Sequence, residues 1–442
     1  MKKGQPRTLC AILLISLGMS AVAQAADTSE QESRIARLEA QLAAIQQELT
    51  ALKSQLSQPA PIAAAADEQT IHAAVERAVE KKMADQPKIP DWISRVKIGG
   101  DLRFRNEWTD DATAADDRNR LRIQARIGIY GTVNEEIDYG FRVASGNSES
   151  PLRDEGSPTS NNQDLGNAFS SKNIWMDLGY FDYHPRRIGG LNILGGKILN
   201  PYYTVGNSDL MFDSDVTPEG IAATYKSRFS DRVQVFAAAG GFTVRERTSD
   251  AETSLWGLQG GTTFQFGQEK KSNVTLGAGY YNYGNVRGKK GLGTDETQFY
   301  GNTSVGGVYA CDFDLVQGFA ELGVPAGGRP LRLFGDYICN TQSRSRQDTA
   351  YLIGAALGQC KDPGSWELSY NYRKLEADSV LGVLSEATFG GGGTNLEGHR
   401  FGLKYQLAAN TQLGATYMLA ERTRNGEKRD YDVGMVDVTV KY

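Results

Sequence analysis

The chain has 442 residues, 23% of them charged, with a net charge of -5 at neutral pH and fifty glycines and twenty tyrosines. A mildly acidic chain is not an obvious nucleic-acid binder, and no segment approaches the roughly 20 consecutive apolar residues that a membrane-crossing helix needs. Composition does not separate a water-soluble all-β protein from a membrane-spanning barrel, because a barrel hides its apolar residues at every second position.

Lys2, Lys3 and Arg7 precede an apolar run from Leu9 to Leu17, and Ala23-Gln24-Ala25 supplies the small residues of a cleavage site, so 1–25 reads as a secretory signal. Its removal deletes three bases and no acid and moves the net charge from -5 to -8. Within 26–58, Ile35, Leu38, Leu42, Ile45, Leu49, Leu52 and Leu56 follow a three-four alternation. That narrow stripe is a coiled-coil seam, with Arg34 and Glu48 facing Glu39 and Lys53 across a parallel self-association, as dimer or trimer. The alternative is an amphipathic helix packed on its own protein. Residues 59–94 form a linker with Pro59 and Pro61 at its head and Pro87 and Pro90 at its end.

From Arg95 to the last residue the period is two. Leu121, Ile123, Ala125, Ile127 and Ile129 alternate with Arg120, Arg122, Gln124 and Arg126, so one face is apolar and the other basic. Strands are expected near 95–107, 119–131, 137–145, 173–183, 191–199, 219–227, 232–245, 254–266, 273–284, 303–323, 330–340, 350–359, 365–373, 399–407, 411–420 and 431–442, sixteen in all. A soluble sandwich shows the same alternation. The connections discriminate: 132–136, 228–231, 267–272, 360–364 and 408–410 are short, whereas 146–172, 200–218, 285–302 and 374–398 are long. Short and long connections thus follow strand parity, as in an antiparallel transmembrane barrel occupying 95–442.

The chain closes with Val436, Val438, Val440 and Tyr442 on one face, which resembles the signal read by the barrel-assembly machinery. The segments RNRLRIQARIGIYGTV (118–133), GGKILNPYYTVGNSDLMFDSDVTPEG (195–220) and FGDYICN (334–340) resemble a family of bacterial outer-membrane porins that place a coiled coil before a single large barrel. That resemblance implies a homotrimeric porin in outer-membrane lipid, with its coiled coil in the periplasm, passing small hydrophilic solutes. The other reading is an anchoring barrel whose periplasmic helix contacts peptidoglycan.

Neither His184 nor His399 falls in a hydrolase motif, and no acid, base and nucleophile stand together, so no enzyme, cofactor or metal site is expected. Lipid-facing arginine costs roughly 2–4 kcal/mol at the midplane. Arg103, Arg105, Arg120, Arg122, Arg126 and Arg142 should therefore line the lumen, either as an anion-preferring wall or in pairs with interior acids such as Asp101 and Asp138. In general porins the third extracellular loop folds inward; the resemblance makes that loop 200–218, with Asp209, Asp213, Asp215 and Glu219 opposing the basic wall. Calcium ligation by those acids fits no loop spacing. Cys311 and Cys339, on consecutive strands, are read as a disulfide or as buried thiols, with Cys360 free.

Overall fold

The computed structural model describes residues 91–442 apart from 151–152, 208 and 425. The signal, the coiled-coil residues Ile35 to Leu56 and all of the linker before 91 lie outside the described residues. Asp91–Ser94 forms a single helical turn ahead of the first strand.

Sixteen antiparallel strands follow in chain order: β1 Val96–Asp111, β2 Arg118–Asn134, β3 Ile137–Ser145, β4 Ile174–Tyr183, β5 Leu191–Lys197, β6 Glu219–Arg228, β7 Val233–Arg245 and β8 Thr253–Phe266. Then come β9 Ser272–Gly284, β10 Phe313–Ala326, β11 Arg329–Asn340, β12 Thr349–Gly358, β13 Trp366–Leu375, β14 Leu396–Ala408, β15 Thr411–Arg424 and β16 Glu427–Lys441. Each strand pairs with its sequence neighbours, and β1 pairs with β16 from Asp101↔Lys441 to Asp111↔Tyr431, so the sheet closes without an edge. Gln163–Asp164 of the β3–β4 connection adds a short segment against Arg122 and Ile123 of β2.

The barrel has a short-turn end, which holds Tyr442, and a long-loop end with loop 1 (112–117), loop 2 (146–173), loop 3 (198–218), loop 4 (246–252), loop 5 (285–312), loop 6 (341–348), loop 7 (376–395) and loop 8 (425–426). The tenth strand is shorter than its periodicity implied. Residues 303–312 belong to loop 5, where Ser304–Val305 and Val308–Tyr309 make a small hairpin of their own.

Alternation sorts the side chains. Ile98, Leu102, Leu121, Ile127, Ile129, Phe141, Leu258, Leu276, Leu333, Ile353 and Leu403 are exposed on the outer wall. Aromatic residues bound this apolar band. Trp256, Tyr280, Tyr337, Tyr351 and Tyr370 ring the long-loop side, and Tyr183, Tyr225, Phe264, Tyr405 and Tyr442 the short-turn side. Trp256 and Phe264 on β8 are eight residues apart, about 26 Å along the strand and so roughly 20 Å of height at a barrel's tilt, which is the scale of the apolar band between the aromatic girdles of a membrane barrel.

The cysteines correct the disulfide expectation, since Cys311, Cys339 and Cys360 are all free. The β10–β11 register pairs Cys339 with Val316 on the lipid face, whereas Cys311 precedes β10 and is buried inside. Distance from the hairpin turn misled because the turn is centred on Gly327 and Gly328, which puts Cys311 beyond the partner position of Cys339.

Candidate functional site

The basic face of β1–β3 is a wall of paired charges. Arg105 Nε donates to Asp437 at 2.6 Å across the closing seam. Arg126 Nε donates to Asp101 at 2.8 Å, and its Nη1 lies 3.5 Å from Asp215 of loop 3. Arg142 Nε donates to Asp177 at 2.5 Å. Arg120 and Arg122 converge on Glu107, whose side chain is fully buried, and both also face Asp164 of loop 2. Arg103 differs from the other five: among the described residues it makes no ion pair, and its Nη2 donates to Asn162 Oδ1 at 2.9 Å. Asp138, anticipated as a partner for this wall, instead stands 3.3 Å from His184 at the short-turn end.

Loop 3 folds into the barrel. Its backbone amides and tyrosines bond to inward-facing groups of strands distant in sequence: Tyr203 N donates to Gln259 at 2.6 Å, and Gly206 N donates to Glu321 at 3.0 Å. Gly206 has φ 57°, and a Cβ there would fall 2.4 Å from the Phe334 ring, so glycine is what lets the loop press on β11. Tyr202, Val205, Leu210, Met211, Phe212 and Val216 form one buried cluster with Phe242, Leu255, Tyr281, Phe319 and Phe334 of the inner wall. Tyr202 stacks on Phe212 at 6.1 Å and meets Tyr281 edge-on at 5.0 Å.

The loop acids divide among three settings. Asp215 reaches the arginine wall, accepting also from the Asn161 amide at 3.0 Å. Asp213 accepts from the Ala387 amide of loop 7 at 3.0 Å, and its own amide donates to Leu384 O. Burial, reinforced by Glu386, pushes Asp209 up to about 7, and burial beside Asp209 and Asp215 holds Asp213 well above the usual carboxylate range. Glu219 does not belong with them. It is the first residue of β6, exposed, and bonded to Lys197 at 2.7 Å on the paired end of β5.

Three further charges were not anticipated. Arg373 on β13 and Arg400 on β14 converge on Glu386 of loop 7, Arg400 at 3.0 Å. The signal was available: Leu368, Tyr370 and Phe401 face lipid, so alternation turns Arg373 and Arg400 inward just as it turns Arg120 and Arg122. Glu386 had no such signal, since a loop acid has no periodicity to orient it. Val436, Val440 and Tyr442 lie on the outer face of β16, and Tyr442 OH donates to Arg126 O at 3.1 Å. His399 is on the outer face, where its ring lies beside Tyr370 and Tyr372.

Residues 109–307 and 316–442 match the protein family described as "Putative porin". The chain belongs to that porin family. No curated protein matches it over its sequence. Among solved structures the barrel is similar to Pseudomonas putida OprB in a high-pH structure, with 10% identity, 83% of this chain and 97% of that chain covered, and a TM-score of 0.51. It is also similar to Salmonella typhi OmpF in complex with daunomycin, with 12% identity, 78% and 97% coverage and a TM-score of 0.47. Family and closed sixteen-strand fold point to an outer-membrane channel for diffusion rather than an enzyme.

Proposed function

We propose that this porin is a passive channel for small hydrophilic solutes, assembled as a homotrimer, whose pathway runs between the arginine wall of β1–β3 and loop 3. The observation that carries the reading is the division of one closed barrel into an apolar exterior bounded by aromatic belts and an interior whose wall from β1 to β3 is faced with charges. Arginines and carboxylates fixed side by side on the wall, with Asp215 of loop 3 meeting it at Arg126, make a strongly polar surface in a narrow, low-dielectric passage, which favours dipolar solutes over apolar ones.

The pairing refines the selectivity. Five of the six wall arginines are tied to carboxylates and add little net charge, which leaves Arg103, with Arg118 at the rim, to tilt the wall toward anions. In planar bilayers under a salt gradient, the parent channel should give a reversal potential on the anion side. Arg103→Gln should move it measurably toward zero, whereas the joint change Arg105→Ala with Asp437→Ala, which removes a neutral pair, should leave it nearly unmoved. A cation-selective parent, or an Arg103→Gln channel as anion-selective as the parent, overturns this account; absence of conductance overturns the channel reading itself.

A further inference from the structure

On the long-loop side of the arginine wall, β2, loop 2 and loop 7 enclose a cavity of about 340 Å³. Arg118, Arg120 and Arg122 line it from one face of β2, Asn162 and Asp164 from loop 2, and Thr388 from loop 7. The size is at the lower end of small-molecule sites, enough for roughly a dozen non-hydrogen atoms. Most of the lining residues can hydrogen-bond, with Ser157 and Ser160 adding hydroxyls and Ala387 and Val433 supplying an apolar part.

Charge decides which polar solute fits. Three guanidinium groups face two carboxylates, Glu107 and Asp164. Glu107 is fully buried and both its oxygens are engaged by Arg120 and Arg122, so it fastens the ladder and is spent there. Asp164 Oδ2 accepts from Arg120 at 3.1 Å and from Arg118 at 3.3 Å. Arg118 is the open member: its side chain is 63% exposed, and that 3.3 Å contact is long for a charge-assisted bond. A guanidinium carries five N–H donors in a planar fork that matches a carboxylate in bidentate fashion. Arg118 therefore keeps a free fork beside a wall of amides and hydroxyls.

We propose that this cavity is a binding subsite for small hydroxylated carboxylates, held by the Arg118 fork with Asn162 and Thr388 meeting their hydroxyls. It concentrates such anions at the loop-side mouth and, in its assay, rests on the channel reading above. A neutral polyol would find the amides and hydroxyls but no partner for the free fork.

The test compares gluconate with sorbitol, which carries the same hydroxyl chemistry without the charge. In planar bilayers carrying chloride current, gluconate should reduce the conductance saturably, and sorbitol at equal concentration should not. Arg118→Ala should raise the half-saturating gluconate concentration about tenfold, the value of one lost charge-assisted contact. Asp164→Asn should lower it, because the internal competitor for Arg118 is removed. Arg118 projects from the rim on one long contact, so its removal leaves the barrel intact, which heat-modifiable gel mobility checks. Equal effects of gluconate and sorbitol, or an Arg118→Ala channel that responds like the parent, would overturn the proposal. Should chloride itself not pass, the channel reading fails; calorimetric titration of gluconate into detergent-solubilised parent and Arg118→Ala protein then decides the subsite alone, with binding lost in the variant supporting it and equal or absent binding refuting it.

Discussion

The interior of the barrel has two unlike halves. From β7 to β12 the inward residues are largely apolar and aromatic, among them Phe242, Leu255, Tyr281, Tyr283, Leu315, Phe319, Phe334, Ile338 and Leu352, and loops 3, 5 and 7 are packed on them. From β13 round through the seam to β3 the inward residues include most of the arginines and carboxylates, all but Arg103 of the wall arginines held in ion pairs, alongside buried Met418, Ala420, Val433 and Met435. Burial of apolar area holds a loop against the first wall without demanding one geometry. The second wall must place each charge within reach of its partner, since a desolvated charge without one is costly. One half therefore fills the lumen, and the other leaves polar space. Loop 3 belongs to both, with Phe212 in the apolar cluster and Asp215 at the arginine wall.

This comparison can be broken from either side. The largest effect is expected in the apolar half, where Phe212→Ala should weaken loop 3 docking by roughly 3–5 kcal/mol through the cavity it leaves. Single-channel recordings should then show larger, noisier conductance with the reversal potential scarcely changed; an unaltered conductance would mean that loop 3 does not narrow the passage. On the charged side, Glu386→Gln strips the partner from Arg373, whose side chain is 1% exposed, and from Arg400. A cost of about 3 kcal/mol follows for an uncompensated buried charge, confined to loop 7 and visible as faster hydrogen exchange across 376–395. Uniform exchange in parent and variant would show that the clamp contributes nothing to loop order.

The smallest effect is a titration. Asp209 ionises near pH 7 because burial and Glu386 disfavour its charge, while Arg400 and Arg373 oppose that shift and Asp215 adds to it. Its folded value lies above that of the unfolded chain, so the ionised form is the disfavoured one and the strain disappears as pH falls through about 7. Below that pH the lumen carries one negative charge fewer, and anion preference should rise. Asp209→Asn should abolish the step in reversal potential; a step of equal size in the variant would assign it to another group.

Much of the barrel was legible because lipid forces a period of two on every spanning strand. The basic wall, its orientation and the lipid face of Leu121, Ile127 and Ile129 all follow from that constraint. Where it lapses, so does legibility. β14 and β16 begin at Leu396 and Glu427, earlier than periodicity placed them, because above the apolar band neither face needs apolar residues. Residues 303–312 show a strand-like alternation yet pair only locally, and nothing short of the tertiary register separates them from β10. The arginines were readable one by one, but their partners were not. Asp437 meets Arg105 from 332 positions away, and Asp164 and Asp215 come from loops whose course is set by packing.

The seam between β1 and β16 has a consequence in time. Strands that follow one another can zip as soon as both emerge, at little loop-closure cost, but these two are the first and last of the barrel. Until Tyr442 is available, β1 has an open ribbon of amides and carbonyls and Arg105 has no Asp437. Neither can be buried in hydrocarbon without an expensive unsatisfied bond. The last strand must therefore be available before the wall can close in hydrocarbon, and until then the open edge of β1 has to be satisfied by water or by another strand. Loss of the last few residues would prolong that vulnerable stage rather than merely trim the finished wall.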